Sequence, residues 1–172
     1  MSGIRSDGSW RNWAGNQHSR PVRIARPTSE SEVVDLVLEA ATDGLRVRVV
    51  GAGHSFTAIA RTDDVLVTLD DMTGIVAVDD ATGRVRVRAG TRLCDLNPQL
   101  DAVGLAMSNL GDIAYQSVAG AISTSTHGTG LGFRSIAADV VGLRLVTGDG
   151  AVAVLDDDHD SDLRDVARVG LG

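Results

Sequence analysis

Two stretches of the chain combine residue types that can handle a large polar ligand. The first, Val50-Gly51-Ala52-Gly53-His54-Ser55-Phe56, directly follows an alternating apolar segment. Alternating glycines let a backbone turn sharply and point successive N–H groups into one concavity, which suits a phosphate or pyrophosphate. The spacing is not that of the dinucleotide fingerprint G-x-G-x-x-G. Phe56 stands where the third glycine belongs, and residues 57–64 carry no helical pattern. Two glycines this close also make an ordinary tight turn, so both readings stand on this segment alone. The second stretch, residues 111–130 (GDIAYQSVAGAISTSTHGTG), mixes small residues with hydroxyls. Such a stretch serves either as the lining of a polar cofactor or as a small-residue packing seam.

Other reactive side chains carry weaker patterns. Asp156-Asp157-Asp158-His159-Asp160 is acidic, but a hard-cation loop spaces its oxygens around a glycine turn, and this run does neither. It is expected to be a solvated loop, and no metal site is expected in the chain. His18 and His159 have no partner pattern, and His127 lies near the end of the second stretch. Cys94 lies between Leu93 and Leu96 and reads as a small buried hydrophobe. As the single cysteine, it excludes an internal disulfide and any multi-cysteine zinc or iron–sulfur centre. Nothing arranges the plentiful serines and aspartates as a hydrolytic triad.

The elements that must hold these residues can be read from periodicity. Val22–Ala25 reads as a strand stopped by Pro27, and Ser29-x-x-Glu32 has capping-box spacing. Val33, Leu36, Val37, Ala40 and Ala41 recur at helical spacing up to Gly44, and Arg46–Val50 alternates as a strand does. Short strands follow at VLVTL, IVAV and VRVRA, the last two joined by a hairpin loop at Asp79–Gly83. Thr91–Val103 reads as a helix that Pro98 ends, kinks or restarts, and Val118–Thr126 as a helical turn. A hairpin around Gly148-Asp149-Gly150 and a helix over Asp162–Val169 close the chain. At 172 residues, 43% hydrophobic and 23% charged, the chain fits one globular domain with a real core. A net charge of −7 disfavours nucleic acid and anionic membrane as partners. No apolar run reaches membrane-spanning length, and the N-terminus lacks a signal-peptide core. A cytoplasmic location is expected, with peripheral membrane association left open. Twenty glycines against 3% aromatics point to backbone packed closely on something.

Taken in order, Asn12-Trp13-Ala14-Gly15-Asn16, Arg26-Pro27-Thr28-Ser29, VVGAGHSF and GDIAYQSVAGAISTSTHGTG resemble the sugar-acid lactone oxidases and dehydrogenases of the vanillyl-alcohol-oxidase type. These include D-arabinono-1,4-lactone and L-gulono-1,4-lactone enzymes, with alditol oxidases nearby. The resemblance implies an α+β FAD-binding domain of this (PCMH) type, with FAD extended between two subdomains, the first about Val22–Leu69 and the second from about Ile75. Residues 1–20 form a lead-in and 21–172 the FAD-binding domain.

The resemblance also assigns roles. Val50, Gly51, Ala52, Gly53, His54 and Ser55 form the loop cradling the FAD pyrophosphate, and His54 matches a histidine that bonds covalently to the flavin 8α carbon. Ser117, Gly120, Ala121, Ile122 and Ser123 match the second cofactor-binding segment, and Asp112 a further cofactor contact. Gly111 leaves room beside the flavin for oxygen. The implied reaction takes a hydride from a CH–OH carbon of a sugar lactone or polyol onto flavin N5, with electrons passing to oxygen or another acceptor. A non-catalytic FAD module serving a partner chain is the alternative. The chain ends on the apolar Val169-Gly170-Leu171-Gly172, so it is expected to be a fragment lacking the C-terminal substrate domain and, with it, the catalytic base.

Overall fold

The computed structural model describes residues 3–170. The chain opens with two-residue strands, β1 (Trp10–Arg11) and β2 (His18–Ser19), paired antiparallel as a short ribbon. Then come β3 (Arg23–Ala25), α1 (Glu30–Thr42), β4 (Val47–Val50) and β5 (Val65–Thr68). These three strands form a parallel sheet in the order β3-β5-β4, with Val65 opposite both Arg23 and Val47.

The central place of β5 explains its composition. All four of its residues are buried, as expected for a parallel strand covered on both faces. Val65 and Val67 face Leu36 and Ala40 of α1, while Leu66 faces Trp10 and Val50 on the opposite side. The period of two along the strand therefore separates two small cores. One belongs to the helix and one to the N-terminal ribbon.

α1 starts where the capping residues predict, with a variation. The Ser29 hydroxyl accepts the Glu32 N–H at 3.2 Å. The Glu32 carboxylate reaches back one residue further than a capping box requires, to the N–H (2.8 Å) and hydroxyl (2.9 Å) of Thr28.

The second half contains the antiparallel hairpin β6 (Ile75–Asp79) and β7 (Arg84–Val87), then α2 (Leu93–Asp101) and α3 (Val118–Ser123). A 3-10 turn at Ile136–Asp139, the hairpin β8 (Leu143–Val146) and β9 (Val152–Leu155), and α4 (Ser161–Ala167) complete it. Pro98 neither ends nor restarts α2, because the helix buries Leu93, Leu96 and Leu100 on one face and this packing outweighs one missing donor. The main core here joins Leu93 to Ala121, Ile122, Ile136 and Ala137. Arg144 of β8 grips the Glu30 carboxylate with two bonds of 2.9 and 2.7 Å, so the last hairpin closes onto α1. The architecture is α+β, as expected.

Candidate functional site

β4 delivers its last residue, Val50, into the ribbon-side core, and the glycine loop begins with the next residue. Gly51 has no room for a side chain, since a Cβ there would run into the Ser117 hydroxyl and lie 3.8 Å from the Gly120 Cα. The first chemistry-bearing stretch is thus packed against the second. Gly53 adopts φ +72°, a left-handed conformation that turns the loop and favours glycine.

Ser117 caps α3, its hydroxyl accepting the Gly120 N–H at 3.2 Å. The next amides are also used inside the protein: Val118 N–H donates to Thr91 O at 2.8 Å and Ala119 N–H to Ala89 O at 3.1 Å. The N-terminus of α3 is therefore not an open anion site. Open donors lie in the glycine loop instead, where the N–H groups of Gly53, His54 and Ser55 have no acceptor among the described residues. Ala121 and Ile122 sit in the core and anchor α3, while Ser123 is half-buried and Asp112 is exposed.

His54 lies between these features. Its ring packs against Trp13, with centroids 5.5 Å apart and planes tilted by 36°. Its Nδ1 is buried and has no hydrogen-bond partner. Burial, and secondarily the nearby Arg92 guanidinium, hold its pKa below the usual histidine value, so the imidazole is neutral at neutral pH. Arg92 joins three segments: it pairs with Asp70, donates to Tyr115 O at 3.4 Å, and its backbone bridges to Ser117.

The second stretch folds back on itself. Gln116 Nε2 donates to Thr126 Oγ1 at 3.1 Å, and the Asn109 amide donates to Arg134 O at 2.9 Å. A Cβ on Gly111 would lie 2.6 Å from the Thr126 methyl, so this glycine lets the two segments pack closely. Cys94 differs from expectation: it is only half-buried, with Sγ 3.7 Å from the Asp95 carboxylate. His159 has a partner that the sequence did not suggest, Asp156 at 2.8 Å. Among the described residues no His/Cys/Asp/Glu group could hold a metal, and no helix is long and apolar enough to cross a membrane.

Residues outside the two motifs complete the site. The ribbon lies over the glycine loop through Asn12, Trp13, Asn16 and Gln17. Of the five aromatic residues only Trp10 is buried; Trp13, Phe56, Tyr115 and Phe133 are 62–70% exposed on segments flanking the site. A Gly51 with no room for a side chain, unused loop amides and an orphaned imidazole nitrogen all fit a flavin dinucleotide.

Residues 21–156 match the family described as FAD binding domain. The chain is 46% identical to L-gulono-1,4-lactone dehydrogenase of Mycobacterium tuberculosis over 163 residues, which are 95% of this chain and 37% of that protein. It is 39% identical to D-arabinono-1,4-lactone oxidase of Eremothecium gossypii over 175 residues, 99% of this chain and 33% of that one. The solved 6-hydroxy-D-nicotine oxidase of Arthrobacter nicotinovorans superposes with a TM-score of 0.80 at 25% identity, covering 99% of this chain and 37% of its own. The chain thus spans about a third of the length of the curated relatives it matches. With most of its length matched and its fold shared with flavoenzymes of the vanillyl-alcohol-oxidase type, the chain belongs to the FAD binding domain family.

Proposed function

We propose that this chain forms the cofactor-binding part of a cytoplasmic flavin-dependent oxidoreductase that oxidises a CH–OH group of an aldonolactone or polyol. The observation that carries this reading is the meeting of the glycine loop with the capped start of α3, beside a neutral, unpartnered imidazole. The N–H groups of Gly53, His54 and Ser55 would hold the pyrophosphate, with Val50, Gly51 and Ala52 shaping the turn. Ser117 and Gly120 form the facing wall, Ala121 and Ile122 anchor that helix from the core, Ser123 ends it, and Asp112 stands on the loop beyond it. The bound flavin would supply the hydride acceptor, its electrons leaving to oxygen or another acceptor. His54 is assigned the covalent attachment: its imidazole nitrogen bonds to the 8α carbon, with one hydrogen lost from each partner and two electrons passing to an acceptor. A neutral imidazole is the nucleophilic form. No residue of this chain is assigned as the catalytic base.

Reconstitution with FAD followed by denaturation and ultrafiltration tests the assignment. Flavin is expected to stay with the chain, and to be released when His54→Ala is treated the same way. Flavin wholly in the filtrate of the unaltered protein refutes covalent attachment. Anaerobic reduction by aldonolactones and alditols, measured with this chain and with its full reading frame, tests the substrate class. Flavin that none of them reduces points to the binding module serving a partner chain.

A further inference from the structure

The cofactor loop is bonded on one side only, and the pattern is consistent. Among the described residues, the bonds of Asn12, Trp13, Asn16 and Gln17 to the loop run one way, from a ribbon donor to a loop carbonyl. Trp13 N–H donates to Gly53 O at 2.8 Å, and Asn12 Nδ2 to Ser55 O at 2.9 Å. Asn16 Nδ2 and Gln17 Nε2 both donate to Phe56 O, at 3.0 and 3.3 Å. No ribbon acceptor takes a loop N–H among the described residues. A peptide unit points its C=O and the next residue's N–H in opposite directions, so the bond to Gly53 O sets the His54 amide, and the bond to Ser55 O leaves the Ser55 amide between two held peptide planes.

Asn12 is the centre of this arrangement. It is 3% exposed, and its amide group is fully used. Besides Ser55 O, its Nδ2 donates to Asn16 Oδ1 at 2.7 Å, and its Oδ1 accepts the Gln17 N–H at 3.0 Å. The ribbon itself is held by Trp10, which packs on Val50, the residue immediately before the loop. Strand, loop and ribbon therefore share one anchor.

We infer that the N-terminal ribbon is a positioning device for the cofactor: the Trp13 N–H and the Asn12 amide hold the Gly53 and Ser55 carbonyls so that the amides of His54 and Ser55 are presented together to a pyrophosphate, while the Trp13 ring holds the His54 ring. The inference rests on the FAD reading above and divides the ribbon's work in two. Asn12 acts on the pyrophosphate, and Trp13 acts on the imidazole.

The experiment titrates the 172-residue chain with FAD and, separately, with ADP, which carries the pyrophosphate without the flavin. Asn12→Asp keeps size and the acceptor for Gln17 but sets a carboxylate against the Ser55 carbonyl. It is expected to weaken both ligands by about tenfold or more, the effect of one lost buried hydrogen bond. Trp13→Ala keeps the backbone bond to Gly53, so ADP affinity should stay within about twofold, on the scale where tenfold is one such bond. It should remove the ring-current shift of the His54 resonance and slow covalent retention of flavin, and Trp13→Phe should restore both. Asn12 is buried, so the exposed Asn16→Ala/Gln17→Ala double variant is measured beside it. FAD and ADP affinities unchanged in a folded Asn12→Asp protein overturn the inference; should that variant not fold, unchanged affinities in the double variant do so. If the unaltered chain binds neither ligand, the FAD reading fails instead. Amide exchange at residues 54–57 without ligand then decides the clamp: exchange unchanged by the double variant overturns it.

Discussion

Buried nitrogens without partners are uncommon in folded proteins, and His54 Nδ1 is one of two such side-chain atoms among the described residues. Burial disfavours the imidazolium, with Arg92 adding to the effect, so His54 should titrate below the ordinary histidine value of 6.5. His159 should titrate above 6.5, because Asp156 bonds to it and favours its charged form. Proton-detected histidine titrations check both directions. The linkage signs are opposite. His54 contributes stability that is present above its unfolded pKa and lost as pH falls through its lowered folded value. His159 contributes stability that is present below 6.5 and lost as pH rises through its raised folded value. The glycines give a second residue-scale prediction. Gly51→Ala should destabilise the chain by about 1–3 kcal/mol through overpacking against Ser117, read from the denaturant midpoint. Gly53→Val should cost about 1–2 kcal/mol for the left-handed backbone alone. It should also impair FAD binding more than Cys94→Ala does. The turn at Gly51–Gly53 was legible in the sequence because glycine alternation after a strand carries a physical meaning, whereas His54 was singled out only by the family resemblance. Arg92 was not legible, since its partners Asp70 and Tyr115 lie 22 and 23 residues away and only the fold brings them together.

At the scale of elements, α1 and α3 both begin with a serine cap, yet only one borders the site. Ser29→Ala and Ser117→Ala should each lower stability by about 1 kcal/mol. Only Ser117→Ala should also change FAD affinity, because its hydroxyl stands against Gly51. Parallel melts and FAD titrations separate the two effects. Helix α1 and the strands of the hairpins were readable from their periods, because each buries one face. The ribbon of β1 and β2 was not, since two-residue strands carry no period, and the sequence read residues 1–20 only as a lead-in. The signal was present in Asn12-Trp13-Ala14-Gly15-Asn16, but as a motif rather than as an element. Sheet order was also hidden. The βαβ unit of β3, α1 and β4 leaves a gap that β5 fills, and no local pattern says that a later strand will enter there.

Across the whole molecule, the described residues expose more apolar surface on α4 than its short length requires. Leu163, Val166 and the following Val169 are all exposed, whereas Leu171 lies outside the described residues. Leu163→Glu/Val166→Glu should reduce self-association, measured by light scattering, while shifting stability by no more than about 0.5 kcal/mol per substitution. The sheet carries a larger consequence. Parallel neighbours need a crossover, commonly a helix, but β4 and β5 are joined by residues 51–64, which contain only one short 3-10 turn. The crossover that closes the sheet is also the loop assigned to the cofactor. Occupancy and sheet closure then draw on one cooperative unit, so ligand binding would suppress the openings through which the β5 amides exchange with solvent. A flavin bound at the rim would act on the centre of the sheet as a kinetic lock.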